Sequence, residues 1–174
     1  MSISLYDASV GSYLQILPAV SALMNKASEH FSAQGVDLEE IVDARLHADM
    51  LPLRFQIVSV VHHSTGTIKG LGFGEFSPPA YDPKMNFTGL QAMLDHAQKE
   101  LVALKADEIN EMAGNQIDFV MGDLRLPFTA ENFVLSFSLP NFHFHASTAY
   151  DILRHKGLPL GKRDYLGKLK IIRQ

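Results

Sequence analysis

Cysteine is absent from the 174 residues, and that absence removes disulfides, thiolate nucleophiles and every cysteine-based zinc site. Any transition metal would have to be held by imidazole, carboxylate, amide or water. Positive charge is also scarce. Fifteen Lys and Arg stand against 19 Asp and Glu, a formal net charge of −4 that offers nucleic acid no electrostatic footprint. The basic cluster that does exist is the short run from Lys162 to Arg173. No apolar run reaches the roughly 18 residues of a membrane span, and the start, Met1-Ser-Ile-Ser-Leu-Tyr-Asp7, has no basic segment leading into an apolar one. The expectation is a cytoplasmic protein with neither nucleic acid nor membrane as a partner.

Several catalytic signatures are missing as well. Gly70-Leu-Gly-Phe-Gly74 is glycine-rich, but it closes a helical pattern instead of joining a strand to a helix, so it is no phosphate cradle. Gly161-Lys162 lacks the glycine spacing of a nucleotide loop. No serine sits in a nucleophile elbow, and no carboxylate pair lies at helical spacing beside the apolar stripes.

What is present is a foldable chain: hydrophobic residues make up 47% and charged ones 20%, enough apolar surface for one domain over residues 1–174 without staples. Val10, Tyr13, Leu14, Leu17, Val20, Met24, Ala27 and Phe31 recur at helical spacing from about Ser4, with Pro18 expected to kink or split the helix. A second helix is expected from Asp49 or Met50 to about Ile68, with Gly70 and Gly72 ending it. Three prolines mark Phe73–Phe87 as a long loop. Thr88 and Gln91 then read as a capping box opening a third helix. Ile117–Met121 and Leu124–Phe128 flank Gly122-Asp123 as a small hairpin. A fourth helical stretch begins near Thr129, is interrupted near Ser138-Leu-Pro140, and runs to His155 with Gly157 as its stop.

The most informative segment is Asn141-Phe-His-Phe-His-Ala-Ser-Thr-Ala-Tyr-Asp-Ile-Leu-Arg-His-Lys-Gly157. At about 100° per residue, Phe142, Ala146, Ala149, Tyr150, Ile152 and Leu153 share one face, His145 lies within it and Asn141 at its margin. This segment, with Leu160-Gly-Lys-Arg-Asp-Tyr-Leu-Gly167, resembles the DinB/YfiT-like superfamily, in an uncharacterised bacterial branch. The resemblance implies a mainly all-α fold: an up-down-down-up four-helix bundle with a small β-hairpin between helices 3 and 4.

It also implies a divalent metal, nickel or zinc, held by one histidine of the second helix and two spaced four apart on the fourth, a spacing that puts both on one face. His145 occupies the second of those fourth-helix positions, but the first is Asn141, whose amide is a weaker ligand. His143 cannot substitute, because it lies about 200° from His145 around the helix. On the second helix His62 and His63 are about 100° apart. His63, in a row with Gln56 and Asp49, is the preferred ligand, and the unfixed helix rotation leaves His62 as the alternative. Against ligation stands a satisfied core histidine, with His145 bonded to Gln56, Asn141 or a tyrosine. Gln56 and Tyr150 are expected to line the pocket.

Two functions follow. One is a bundle with a degenerate or absent metal site that serves as a small-ligand-binding or dimerisation module. The other is a metal-dependent transferase or hydrolase that uses a low-molecular-weight thiol. Surplus apolar surface at Leu51, Phe55, Val58 and Phe144 further predicts a homodimer.

Overall fold

A computed structural model describes residues 3–172. The single turn α1 (Leu5–Ala8) is capped by Ser4, whose side chain accepts from the Asp7 N–H, and the chain re-enters helix after Ser9 as α2 (Val10–Ala33). Pro18 does not split α2, and the break falls at Ser9 instead. A proline deletes one ladder bond, and the buried residues on either side of it, Tyr13, Leu17, Val20 and Met24, hold the turn by packing.

After α3 (Leu38–Val42), helix α4 (Leu53–Val61) starts at Pro52 and not at Asp49 or Met50. The proline ring disfavours helical backbone at Leu51, so the helix cannot extend upstream. It continues through a π turn (His62–Gly66) into α5 (Thr67–Phe73) and stops at Gly74, at φ 76°. The expected stops at Gly70 and Gly72 are therefore wrong. Gly70 is buried within α5, and a Cβ there would meet the Glu75 carbonyl at 3.0 Å and the Phe76 ring at 3.2 Å, so its smallness serves close packing.

β1 (Glu75–Phe76) pairs in parallel with β2 (Gln116–Met121), which pairs antiparallel with β3 (Leu124–Thr129). The hairpin around Gly122-Asp123 is as expected, whereas β1 lies inside the expected loop, since two residues carry no periodicity. Between these strands lie α6 (Phe87–Ala103) and the short α7 (Ala106–Asn110). Asn86, not Thr88, caps α6, its side chain accepting from the Gly89 N–H at 2.8 Å. The fourth stretch is α8 (Ala130–Phe133), a second π turn (Val134–Ser138) and α9 (Leu139–His155), with Pro140 tolerated in the first turn. Bonds from Gly157 N–H to the Arg154 carbonyl and from Leu158 N–H to the Leu153 carbonyl, both 3.1 Å, close α9 in a Schellman motif. The short α10 (Lys162–Leu166) lies on α2.

Both α2 and α4 pack against α6 and α9, which makes a four-helix bundle with α2 diagonal to α4 and the hairpin set between the third and fourth long helices. One cluster of buried side chains runs through it, with Tyr13, Phe87, Phe133 and Phe142 its largest fully buried members.

Candidate functional site

Two π turns meet where the second and fourth long helices touch. A π turn holds one residue more than the α register allows, so carbonyls near it lose regular partners, and hydroxyls occupy them here. Ser64 donates to the Val60 carbonyl at 2.9 Å, Thr65 to the Val61 carbonyl at 3.2 Å, and Ser138, across the helix interface, to the His63 carbonyl at 2.8 Å. Ser138 Oγ also lies 2.7 Å from both the Tyr13 hydroxyl and Thr67 Oγ1. Ser138 has a single proton to give, so Tyr13 donates to Ser138, which donates to His63. Burial pushes the Tyr13 phenol up to about 12. This relay joins three of the long helices. The only hint of it in the sequence is the hydroxyl-rich run Ser64-Thr-Gly-Thr67 directly after two histidines.

The first π turn sets the histidines. His63 is only 6% exposed, its Nδ1 is buried without a hydrogen-bond partner, and its ring is nearly parallel to that of His145, 14° apart with centroids at 5.8 Å. His145 on α9 is half-buried. Gln56 fixes its tautomer: the amide Nε2 donates to the Leu51 carbonyl at 2.9 Å, which turns Oε1 toward His145 Nδ1 at 2.8 Å. His145 therefore carries its proton on Nδ1 and leaves Nε2 as an acceptor. His62 is half-buried, donates Nε2–H to the Ser77 carbonyl at 2.7 Å and packs against Phe76 with centroids 4.3 Å apart and planes tilted by 39°. Its Nδ1 lies close to Gly66, where an added Cβ would meet it at 3.0 Å.

All three imidazoles are held neutral. Burial lowers His63 to about 3, with the neighbouring His62 and His145 adding to the effect, and burial lowers His145 to about 4 and His62 in the same direction. The surrounding walls are aromatic. Phe76 and Phe137 flank His63 at 5.4 and 5.8 Å, and Phe55 flanks His145 at 5.8 Å. Tyr81, from the loop between β1 and α6, stands 5.2 Å from Phe55.

The structure thus brings His62, His63, His145 and Gln56 together and separates the other expected members. Asn141 is on the right side of α9, but its Nδ2 donates to the Phe137 carbonyl at 2.7 Å. Tyr150, five residues and about 140° beyond His145, packs on Tyr165 at 6.2 Å. Gln56 serves His145 and not His63, and Asp49 stands before the helix beside His47. His143 is exposed, with Nδ1 3.3 Å from the Tyr165 hydroxyl. Val58, expected on an exposed flank, is 6% exposed, whereas Leu51 and Phe144 are 45% and 58% exposed.

The donors do not fit a three-ligand ion site. His62 reaches out to the loop, Asn141 offers only an amide oxygen, a weak ligand for nickel or zinc, and among the described residues no group of three His, Asp or Glu is arranged to hold a metal. The arrangement can instead offer acceptor nitrogens to a hydrogen-bond donor.

Also among the described residues, no helix is long and apolar enough to cross a membrane. A crystal structure of a DinB family member protein from Shewanella denitrificans superposes with a TM-score of 0.81 at 25% identity, covering 98% of this chain and 96% of that one. No curated protein matches the chain. The model of the family described as "Domain of unknown function (DUF1993)" matches residues 5–166, and the chain belongs to that uncharacterised, DinB-like family.

Proposed function

We propose that this protein is a cytoplasmic, non-catalytic module that binds a small molecule on a DinB-like frame and works as a homodimer. The observation that carries this reading is the buried His63 Nδ1 without a partner, beside a His145 whose tautomer Gln56 fixes. Leaving a buried polar atom unpaired costs about 1–3 kcal/mol, and a ligand that offers an O–H or N–H removes that cost. The aromatic walls suit a small ligand with a flat apolar body. Phenol serves as a probe and anisole, which lacks the donor, as its control. Phenol should shift the ring resonances of His63 and His145 saturably and anisole should not; equal shifts from both would refute a donor-reading site.

The alternative, a nickel- or zinc-dependent transferase or hydrolase acting with a low-molecular-weight thiol, needs a third ligand that Asn141 and His62 do not supply. Titrating tag-free protein with nickel and zinc should give weak binding that depends on His145 more than on His143. Tight binding that survives His145→Ala would overturn the reading. For the dimer, the support is the exposure of Leu51 and Phe144, with Phe55 half-buried. Light scattering should report about twice the 19.3 kDa chain mass, and Phe144→Glu should shift it to monomer. A wild-type monomer at micromolar concentration would remove the dimer.

A further inference from the structure

Past α10 the chain turns back over the start of α2, and the turn is tightly specified. Gln15 Nε2 donates to the Leu166 carbonyl at 3.1 Å, and Gly167, at φ 63°, passes so close to the Gln15 carbonyl that a Cβ would lie 2.2 Å from its oxygen. The strap that follows, Lys168-Leu-Lys-Ile171, roofs a cleft of about 610 Å³ whose floor is Tyr6, Gly11 and Leu14. None of the histidine cluster lines it.

The chemistry of the cleft is two-sided. Leu14, Leu169 and Ile171 supply apolar wall, and Leu169 and Ile171 remain 53% and 72% exposed, so the cleft is not filled by its own roof. Lys168 and Lys170 sit on the same strap. No Asp or Glu lines the cleft, and no described carboxylate forms an ion pair with either lysine. In a chain of net charge −4, two cations with no ion pair among the described residues, beside unfilled apolar wall, match one kind of ligand, a molecule with an anionic head and an aliphatic tail. We propose that this cleft binds a single medium-chain fatty carboxylate, with the head at Lys168 and Lys170 and the tail along Leu14, Leu169 and Ile171.

Calorimetric titration of the full chain with octanoate, decanoate and laurate, each below its micellar concentration, tests this at neutral pH. Affinity should rise with chain length, by up to about fourfold per methylene while the tail remains inside the cleft. Lys168→Ser/Lys170→Ser should weaken laurate binding by about tenfold, since exposed charge pairs contribute modestly, and Leu169→Ser/Ile171→Ser should flatten the chain-length series. Both variants alter an exposed strap, and an unchanged thermal midpoint identifies folded protein. Dodecanol, with the tail but no charge, should bind no better than the lysine variant binds laurate. Absence of laurate binding, or equal binding by wild type and lysine variant, would overturn the proposal. So would co-sedimentation with phosphatidylglycerol vesicles without binding of monomeric laurate, which would make the strap a membrane-surface contact.

Discussion

Acid should destabilise this fold well above the pH at which carboxylates titrate, and His63 should be a main cause. An unfolded histidine takes up a proton near pH 6.5, whereas burial holds His63 down to about 3 and His145 to about 4. Between those limits the unfolded chain binds more protons than the native one. Stability is therefore fully present above pH 6.5 and falls as the pH drops toward the folded values. At pH 5 each imidazole costs about 2 kcal/mol relative to pH 8, about 4 kcal/mol for the pair, by proton linkage at 1.36 kcal/mol per pH unit. That is a large part of the 5–15 kcal/mol of a typical domain, as an order of magnitude. Urea unfolding followed by circular dichroism at steps from pH 8 to pH 5 measures the loss directly. His63→Leu removes one titrating group and its unpaired Nδ1, so the variant should lose only about half as much over the same range. At pH 8 it should be within about 1.5 kcal/mol of wild type, because a deleted unsatisfied atom offsets the changed packing. An unfolding free energy flat in pH for wild type, or an identical loss in His63→Leu, would refute the view that burial holds these rings neutral.

Tyr13→Phe should cost about 1 kcal/mol in the same urea assay, because it removes one buried hydrogen bond to Ser138, which keeps Thr67 Oγ1 as a donor, while leaving the ring in place. Arg54 is 4% exposed, pairs with Asp43 at 2.9 Å and donates to the Pro83 carbonyl, which ties the loop between β1 and α6 to α4. Arg54→Leu should therefore speed proteolytic cleavage within residues 77–86, read by mass spectrometry, with little change elsewhere; an unchanged cleavage rate would show that the loop is held by Tyr81 and His62 alone.

The helix plan is legible in the chain alone, because apolar residues recurring every three to four positions must share a face whatever they face. The chain alone also shows that His145 lies on the buried side of the fourth long helix, that Gly122-Asp123 turns a hairpin, and that no thiolate takes part in any site. Contacts between distant segments set the rest. Neither π turn is marked by the apolar pattern on its flanks, yet the first of them carries both the buried His63 and His62, which reaches Ser77. The Tyr13–Ser138–Thr67 relay joins residues up to 125 positions apart, and nothing local marks them as neighbours. For His145 the chain offers Gln56, Asn141 or a tyrosine as partner, and the packing of α4 against α9 selects Gln56. The cleft beneath the C-terminal strap depends on Gly167 passing against the Gln15 carbonyl, a contact between chain segments that no pattern within either one specifies.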